Sequence, residues 1–153
     1  MSGLNFQTMR DTNFNQKTII LLSCGKSKQK HPCEAEKMYT GTIFKKSFLV
    51  ARKLKPDAIY ILSAKYGLLS CKEVIKPYNL SLNTFSKKQK KNWANKVVRQ
   101  LEAHDVTADD RLIFFTGKNY REQLMNSYPN SRCPIAGLRL GELIQFYNKF
   151  LKK

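Results

Sequence analysis

Three short apolar runs, separated by stretches with helical spacing, constrain the fold of this chain most. The runs are TIILLS at residues 18–23, DAIYIL at 57–62 and RLIFFT at 111–116. Each is rich in β-branched or aromatic residues, and runs of this length and composition are typical of strands that are covered on both faces. We therefore predict three buried strands in a mainly parallel sheet.

The stretches between and after these runs predict helices. Apolar residues recur at near-helical spacing in residues 41–54, 86–103 and 138–151. A short helix near 119–127 and a strand through 132–133 complete the prediction, whereas most of the chain between the second run and the helix at 86 is expected to be irregular. Strands that alternate with helices are typical of an α/β fold.

Length and terminal composition predict one domain. The chain has 153 residues, of which 42% are apolar, and this suffices for a single core. Residues 18–153 are assigned to that domain, and the polar residues 1–17 to a flexible arm without a signal-peptide core. No apolar run approaches 18 residues, so we expect no membrane span and a cytoplasmic location.

A large excess of positive charge predicts an anionic partner. Lys and Arg total 28 against 11 Asp and Glu, which gives a net charge of +17. Nucleic acid, with DNA as the preferred form, explains such an excess best, because each neutralised phosphate releases counterions. The alternative is a merely basic protein without a nucleic-acid partner, and oligomeric state cannot be read from the sequence.

A cluster of lysines at the start of the helix predicted at 86–103 supports the nucleic-acid interpretation. Lys87, Lys88, Lys90 and Lys91 all fall in its first turns. Cations there oppose the helix macrodipole and cost stability, so a solvated face alone explains them poorly. Phosphate contact is the explanation that we favour.

Each of the three apolar runs ends in a polar loop that contains a small residue and a lysine. In an α/β sheet, ligands bind outside the carboxyl ends of the parallel strands. Small residues let a ligand approach the backbone, lysines attract an anion, and tyrosine offers a stacking surface. The candidate residues in these loops are Ser23, Gly25, Lys26, Lys28, Ser63, Lys65, Tyr66, Gly67, Gly117 and Lys118.

Several common chemistries are not supported by the sequence. Gly25-Lys26-Ser27 lacks the preceding glycine of a phosphate-binding P-loop, because Ile20 stands there. The four cysteines have irregular spacing, so we expect reduced thiols, no metal site and no cofactor. Cys24 follows a strand, but no histidine partner for a nucleophilic thiol is evident.

Five segments carry a resemblance to a known family. They are SCGKSK, YTGTIF, SAKYGLL, EVIKPY and PIAGLRLGELIQF, and the resemblance covers nearly all of residues 18–150. The chain resembles an uncharacterised bacterial and phage family that looks like a branch of the uracil-DNA-glycosylase-like superfamily, related to the YaaA peroxide-stress proteins. The resemblance implies a three-layer α/β/α sandwich with a base-sized pocket at the strand ends.

The resemblance also implies roles for residues within these segments. Ser23, Gly25 and Lys26 would form the loop that contacts phosphate or activates water. Lys65, Tyr66 and Gly67 would form a second wall. The remaining assignments place Tyr39 and Phe44 in the pocket lining, and Glu73 and Tyr78 where the pocket closes.

The reaction implied by the resemblance is cleavage of an N-glycosidic bond after base extrusion. Glu73, Asn79 and Lys65 are the candidate catalytic residues, and Lys26 is an alternative nucleophile. Relatives often carry an acid at the position of Asn79, so a catalytically inactive DNA-binding module is the second hypothesis and a nucleotide hydrolase a weaker third. Equally, Tyr66 can be a packing residue and Glu73 an ordinary surface ion-pair partner.

Overall fold

The computed structural model describes residues 15–152, and its strands and helices are numbered here in chain order. The strands are β1 (Thr18–Ser23), β2 (Cys33–Glu34), β3 (Ala58–Ser63), β4 (Gly67–Ser70), β5 (Val74–Ile75) and β6 (Arg111–Phe115). The α-helices are α1 (Ala35–Met38), α2 (Thr42–Lys53), α3 (Lys87–Ala103), α4 (Glu122–Met125) and α5 (Leu140–Leu151). Short 3₁₀ turns occupy Leu82–Thr84 and Lys118–Tyr120.

Four of the strands form one mixed sheet in the order β4-β3-β1-β6. β1 is parallel to both β3 and β6, so these three strands end at the same edge. β4 is antiparallel to β3 and runs back along the outer side of the sheet. β2 and β5 form a separate two-residue antiparallel ribbon. The sheet therefore brings three loops to one edge, as the parallel prediction requires.

Helices cover both faces of this sheet, and alternate residues of β1 explain why. Ile19 and Leu21 pack in one buried cluster with α3 and α4. Ile20 and Leu22 pack in the other, against α2 and α5. Burying an aliphatic side chain of this size contributes about 1.5–3 kcal/mol, so a strand that is apolar on both faces is stable only between two layers of helices. The α/β class is thus confirmed, with an arrangement compatible with a three-layer sandwich.

The predicted elements agree with the structure except between the second strand and α3 and at residues 132–133. The three strands and the helices at 41–54 and 86–103 are confirmed to within a residue or two, and the last helix begins at Leu140 rather than at 138. The predicted strand at 132–133 is reduced to one parallel bridge between Ile113 and Arg132. The segment expected to be irregular instead contains β4 and β5. Within the described residues, no helix combines the length and apolar character needed to cross a bilayer.

The start of α3 is held by a capping box despite its lysines. The backbone N–H of Gln89 donates to Ser86 Oγ at 3.2 Å, and the backbone N–H of Ser86 donates to Gln89 Oε1 at 2.8 Å. This reciprocal pair satisfies two N–H groups that the helix leaves free. The cap therefore compensates for the unfavourable charges in the first turns.

Two side chains of α3 fix the turn between β3 and β4. Trp93 Nε1 donates to the carbonyl of Ser63 at 2.8 Å. Gln100 accepts from the backbone N–H of Leu68 at 2.8 Å and donates to the carbonyl of Tyr66 at 3.2 Å. Between these two residues, Gly67 has a φ of +77°, a conformation that side chains rarely adopt. The turn is consequently bound to the helix at both ends.

Asp110 anchors the beginning of β1, and the predicted N-terminal arm meets the domain here. The arm lies outside the described residues up to residue 14, but Lys17 donates its backbone N–H to Asp110 Oδ1 at 2.9 Å. Thr107 donates to Asp110 Oδ2 at 2.9 Å, and Lys17 Nζ lies 3.3 Å from that oxygen. Burial opposes the charge, but these N–H groups and the ammonium outweigh it and lower the pKa of Asp110.

This environment predicts a loss of stability in acid. Because the folded pKa of Asp110 is depressed, its contribution is fully present above the unfolded value of about 3.9 and is lost as the pH falls through the folded pKa. Asp110→Asn should lower the free energy of unfolding by about 1–3 kcal/mol at neutral pH, and the difference should shrink below about pH 4. Urea denaturation across this pH range measures both. Asp109→Asn is the matched control, and a pH-independent gap for Asp110→Asn would contradict the prediction.

Candidate functional site

The loop after β1 projects from the edge where the parallel strands end. The backbone N–H of Cys24 donates to the carbonyl of Leu62 at 3.0 Å, which extends the pairing with β3 by one residue. The chain is then fixed again where Lys28 pairs with Tyr39 through an isolated antiparallel bridge. Between these anchor points, Gly25 and Lys26 form the tip of the loop. Lys26 is exposed.

A pocket with two lysines and several hydrogen-bonding side chains in its lining lies beside this loop. Its volume is about 430 Å³. We call it the lysine pocket, and its lining is Cys24, Gly25, Lys26 and Lys28 from the loop, Asn79, Leu80, Ser81, Asn83 and Thr84 from the segment before α3, and Tyr120. Two ammonium groups surrounded by hydroxyls and amides make this pocket suited to an anionic, hydrogen-bonding ligand.

A second pocket, which is mainly apolar, lies on the other side of the same loop. Its volume is about 520 Å³. We call it the phenylalanine pocket, and its lining is Ser23, Cys24, Gly25, Lys26 and Ser27 from the loop, Gly41, Thr42, Ile43, Phe44 and Ser47 at the start of α2, Phe115, and Leu140 and Ile144 of α5. The two pockets share Cys24, Gly25 and Lys26, so the loop is the wall between them.

Three hydroxyl groups form a buried relay beside the lysine pocket. Ser63 Oγ donates to the Tyr78 hydroxyl at 2.7 Å, and that hydroxyl lies 2.7 Å from the hydroxyl of Tyr39. Ser63 Oγ also accepts the backbone N–H groups of Lys65 and Tyr66 at 3.2 and 3.1 Å. The relay therefore ties the end of β3 and the residue after α1 to the Pro77-Tyr78 turn.

Both phenols of the relay remain protonated. Burial raises the pKa of Tyr39 and the pKa of Tyr78 far above the ordinary tyrosine value. Lys28 Nζ lies 4.6 Å from the centre of the Tyr78 ring, a cation–π contact that keeps this pocket lysine close to the relay. The relay acts as a rigid neutral support, since neither phenol is ionised near neutral pH.

The relay predicts unequal effects for two equivalent mutations. Tyr78→Phe removes the hydroxyl that lies 2.7 Å from the hydroxyl of Tyr39, whose side chain is 1% exposed, and it also removes the acceptor of Ser63. Tyr39→Phe leaves the Ser63–Tyr78 bond intact. We expect Tyr78→Phe to lower the free energy of unfolding by about 1–3 kcal/mol, and Tyr39→Phe by about 1 kcal/mol or less. Urea denaturation compares them, and an equal or larger loss for Tyr39→Phe would refute the relay.

The structure brings many of the predicted site residues to this edge of the sheet. Gly25, Lys26, Lys28 and Asn79 line the lysine pocket. Ser23 and Phe44 line the phenylalanine pocket, together with the shared residues of the loop. Tyr39, Ser63 and Tyr78 lie next to them in the relay rather than in the lining.

Other predicted residues lie elsewhere. Lys65 is exposed, Tyr66 packs edge-on against Tyr78 with ring centres 5.6 Å apart, and Gly67 forms the turn, so none of them lines either pocket. The contact of Tyr66 agrees with its alternative interpretation as a packing residue. Gly117 begins the second 3₁₀ turn and is exposed.

Glu73 is not brought to the pockets. Its carboxylate accepts the backbone N–H of Ser70 at 3.3 Å, and Ser70 pairs with Tyr60, three residues before the end of β3. Because β4 runs antiparallel, it carries the chain away from the carboxyl ends of the parallel strands before Glu73 is reached. Within the described part of the chain, neither pocket has a carboxylate in its lining.

The basic start of α3 is linked directly to the lysine pocket. Lys90 Nζ donates to Asn119 Oδ1 at 3.1 Å, and Asn119 Nδ2 donates to Asn83 Oδ1 at 2.6 Å. Asn83 is a lining residue of the pocket. The exposed cations on this surface are Lys87, Lys88, Lys91 and Lys118. The pocket and the helix start therefore form one continuous basic surface.

Tyr120 belongs to the third strand-end loop, where tyrosine was expected as a stacking surface, whereas the lining residues from the last helix were missed by sequence reasoning. Tyr120 accepts from Cys24 Sγ and from the backbone N–H of Leu82, both at 3.5 Å, and burial raises the pKa of its phenol. Leu140 and Ile144 reach the phenylalanine pocket from the last helix. The polar run between Pro77 and Ser86, just before a helix cap, was the available signal for the lysine pocket.

Two observations bear on the expected absence of metal and cofactor sites. Among the described residues, no group of three or more His, Cys, Asp or Glu side chains is placed to hold a metal ion. The four cysteines form no disulfide. The polar lining of the lysine pocket consists of ammonium groups, amides, hydroxyls and one thiol.

Fold and site together define an α/β protein with a basic pocket at the carboxyl edge of its parallel strands. Residues 19–149 match a family model, and the chain belongs to this family, DUF6884, a family of unknown function. A comparison with curated proteins finds no match.

Proposed function

We propose that this protein binds nucleic acid, with one nucleotide in the lysine pocket and the adjoining backbone on the start of α3. The observation that carries this proposal is the Lys90–Asn119–Asn83 chain of hydrogen bonds, which joins a basic helix start to a basic pocket. A basic surface patch alone would attract any anion. A basic patch that is linked to a pocket suits a polyanion such as nucleic acid, because one of its nucleotides can enter the pocket.

The proposed ligand would neutralise positive charges that destabilise the protein when it is free. Lysines in the first turns of α3 oppose its macrodipole, and a line of phosphates over them removes that penalty. The net charge of +17 has the same explanation, since self-repulsion is relieved when counterions are exchanged for a polyanion. DNA in the cytoplasm is the partner that we favour, and the resemblance to uracil-DNA-glycosylase-like proteins supports the same choice.

Binding without chemistry is the form of the proposal that the geometry favours. Glu73, the carboxylate expected to assist catalysis, lies away from the pockets, and no other described carboxylate lines them. An oxocarbenium-like sugar would therefore lack its usual carboxylate support. This favours the second sequence hypothesis, a nucleic-acid-binding module.

Base excision is a second candidate because Lys26 and Asn79 both line the lysine pocket. In that reaction a water held by Asn79 adds to the sugar carbon and releases a proton to the solvent. The N-glycosidic bond breaks, and the base departs with the bonding electron pair and takes up a proton. Lys26 would donate to the departing base. The product is an abasic site, which alkali converts into a nick.

Salt dependence of binding tests the proposal. Fluorescence anisotropy with labelled single-stranded DNA, duplex DNA and RNA should give an affinity for at least single-stranded DNA that falls steeply between about 50 and 200 mM salt. Salt-insensitive binding, or none, overturns the proposal. Incubation with DNA containing uracil, hydroxymethylated or glucosylated bases, followed by alkali, distinguishes the two candidates. Nicks that Asn79→Ala abolishes would establish base excision. If the DNA stays intact, the protein is a nucleic-acid-binding module without this activity.

A further inference from the structure

The phenylalanine pocket is not used by the proposed function and is suited to a planar ring. Its aromatic lining, Phe44 and Phe115, is almost completely buried, whereas Leu140 at its mouth is 66% exposed. Hydroxyls and one ammonium, from Ser27, Thr42 and Lys26, supply the polar part of the lining. An apolar cavity with a few polar groups is the usual form of a small-ligand site.

The position of this pocket relates it to the lysine pocket. Both are bounded by Cys24, Gly25 and Lys26, so only the thickness of one loop separates them. Lys26 contributes to both pockets and is exposed between them.

We propose that two consecutive nucleotides of one strand straddle this loop, with one base in each pocket and the linking phosphate on Lys26. This inference rests on the proposed function. The loop between the pockets prevents the two bases from stacking on each other, so the ligand is an unstacked, single-stranded step. Each base gains contacts on the protein that replace those it loses in the strand. In the phenylalanine pocket these contacts come from the accessible side chains of Leu140 and Ile144, because Phe44 and Phe115 are nearly fully buried.

The two-pocket arrangement predicts a jump in affinity from one nucleotide to two. In competition with a labelled oligonucleotide, the dinucleotide pTpT should bind at least about tenfold more tightly than thymidine monophosphate. Single-stranded DNA should likewise compete better than the same sequence as a duplex. A dinucleotide that binds no better than the monophosphate overturns the inference, even if longer DNA binds well.

Two variants separate the pockets. Leu140→Glu and Thr42→Glu place a carboxylate at exposed positions of the phenylalanine pocket, where it repels the strand. Both should reduce the affinity for pTpT to that for the monophosphate and leave monophosphate binding unchanged. Leu49→Glu is the matched control, because Leu49 is 53% exposed and lines neither pocket.

The outcomes distinguish this inference from the proposed function. Equal loss of mononucleotide and dinucleotide binding in Leu140→Glu and Thr42→Glu, or no loss in either, contradicts the two-nucleotide step while nucleic-acid binding stands. Failure of every oligonucleotide to bind the unmodified protein overturns the proposed function, and this inference with it.

Discussion

Replacing Lys87, Lys88, Lys90 and Lys91 with glutamine is expected to weaken single-stranded DNA binding by about 100-fold at 0.1 M salt. Each phosphate contact with a single strand contributes about 0.7 to the slope of log affinity against log salt, so four contacts account for about 3 of that slope. The loss should be uniform across base sequences, because phosphate contacts carry no sequence information. Anisotropy titrations over a range of salt concentrations measure both the affinity and the slope.

The same variant should be more stable than the unmodified protein. Lys87 and Lys88 lie nearest the start of α3 and oppose its macrodipole, so removing their charges is worth about 0.3–1 kcal/mol for each of these two positions. Loss of the hydrogen bond from Lys90 to Asn119 offsets part of this gain. A rise in melting temperature together with weaker binding excludes unfolding as the cause. The control replaces Lys37, Lys72, Lys149 and Lys152, which are exposed and line neither pocket. If the control variant lost as much affinity for DNA as the α3 variant, binding would depend only on the overall positive charge and not on the start of α3.

Gly67→Ala is expected to lower the free energy of unfolding by about 2–4 kcal/mol. A left-handed conformation costs an alanine about 1–2 kcal/mol. In addition, its Cβ would lie 2.3 Å from Gln100 Oε1 and displace a side chain that makes two hydrogen bonds, each worth about 0.5–1.5 kcal/mol. Gly117→Ala is the matched control, because its φ is −67° and no atom lies within 4 Å of the added Cβ.

A double-mutant cycle identifies the source of that loss. Gln100→Ala removes the two hydrogen bonds and also the obstruction, so adding it to Gly67→Ala should cost less than the two single losses combined. Urea denaturation of the four proteins gives the coupling energy. Strict additivity would show that the backbone conformation of Gly67 alone, and not the displaced Gln100, determines the effect.

The sheet and its principal helices could be predicted from local pattern because each has a one-dimensional signature. β1 is apolar at four consecutive positions, which is stable only under two layers of helices. α3 has an apolar stripe and a serine cap. β4 escaped prediction because it is four residues long and begins at a glycine that serves the preceding turn. A short strand at the side of a sheet gains its stability from its neighbour, and this information is absent from its own residues.

The lysine pocket could be predicted in part, the phenylalanine pocket hardly at all. The rule that parallel strands end at one edge led to Gly25, Lys26 and Lys28. Glu73 was assigned by its closeness in sequence to Tyr78, but the reversal of β4 separates it from that edge. Leu140 reaches the second pocket from a helix more than a hundred positions away, a proximity that only tertiary packing creates.

The two attachments of α3 to the sheet affect how the protein would bind a nucleic-acid strand. Trp93 and Gln100 hold the helix seven residues apart, about two turns, by hydrogen bonds to the backbone of one turn. The axis along which the basic side chains are arrayed is thereby set before any partner arrives. Association then needs little rearrangement of the main chain, so the entropy lost on docking falls mainly on the nucleic acid and on the lysine side chains.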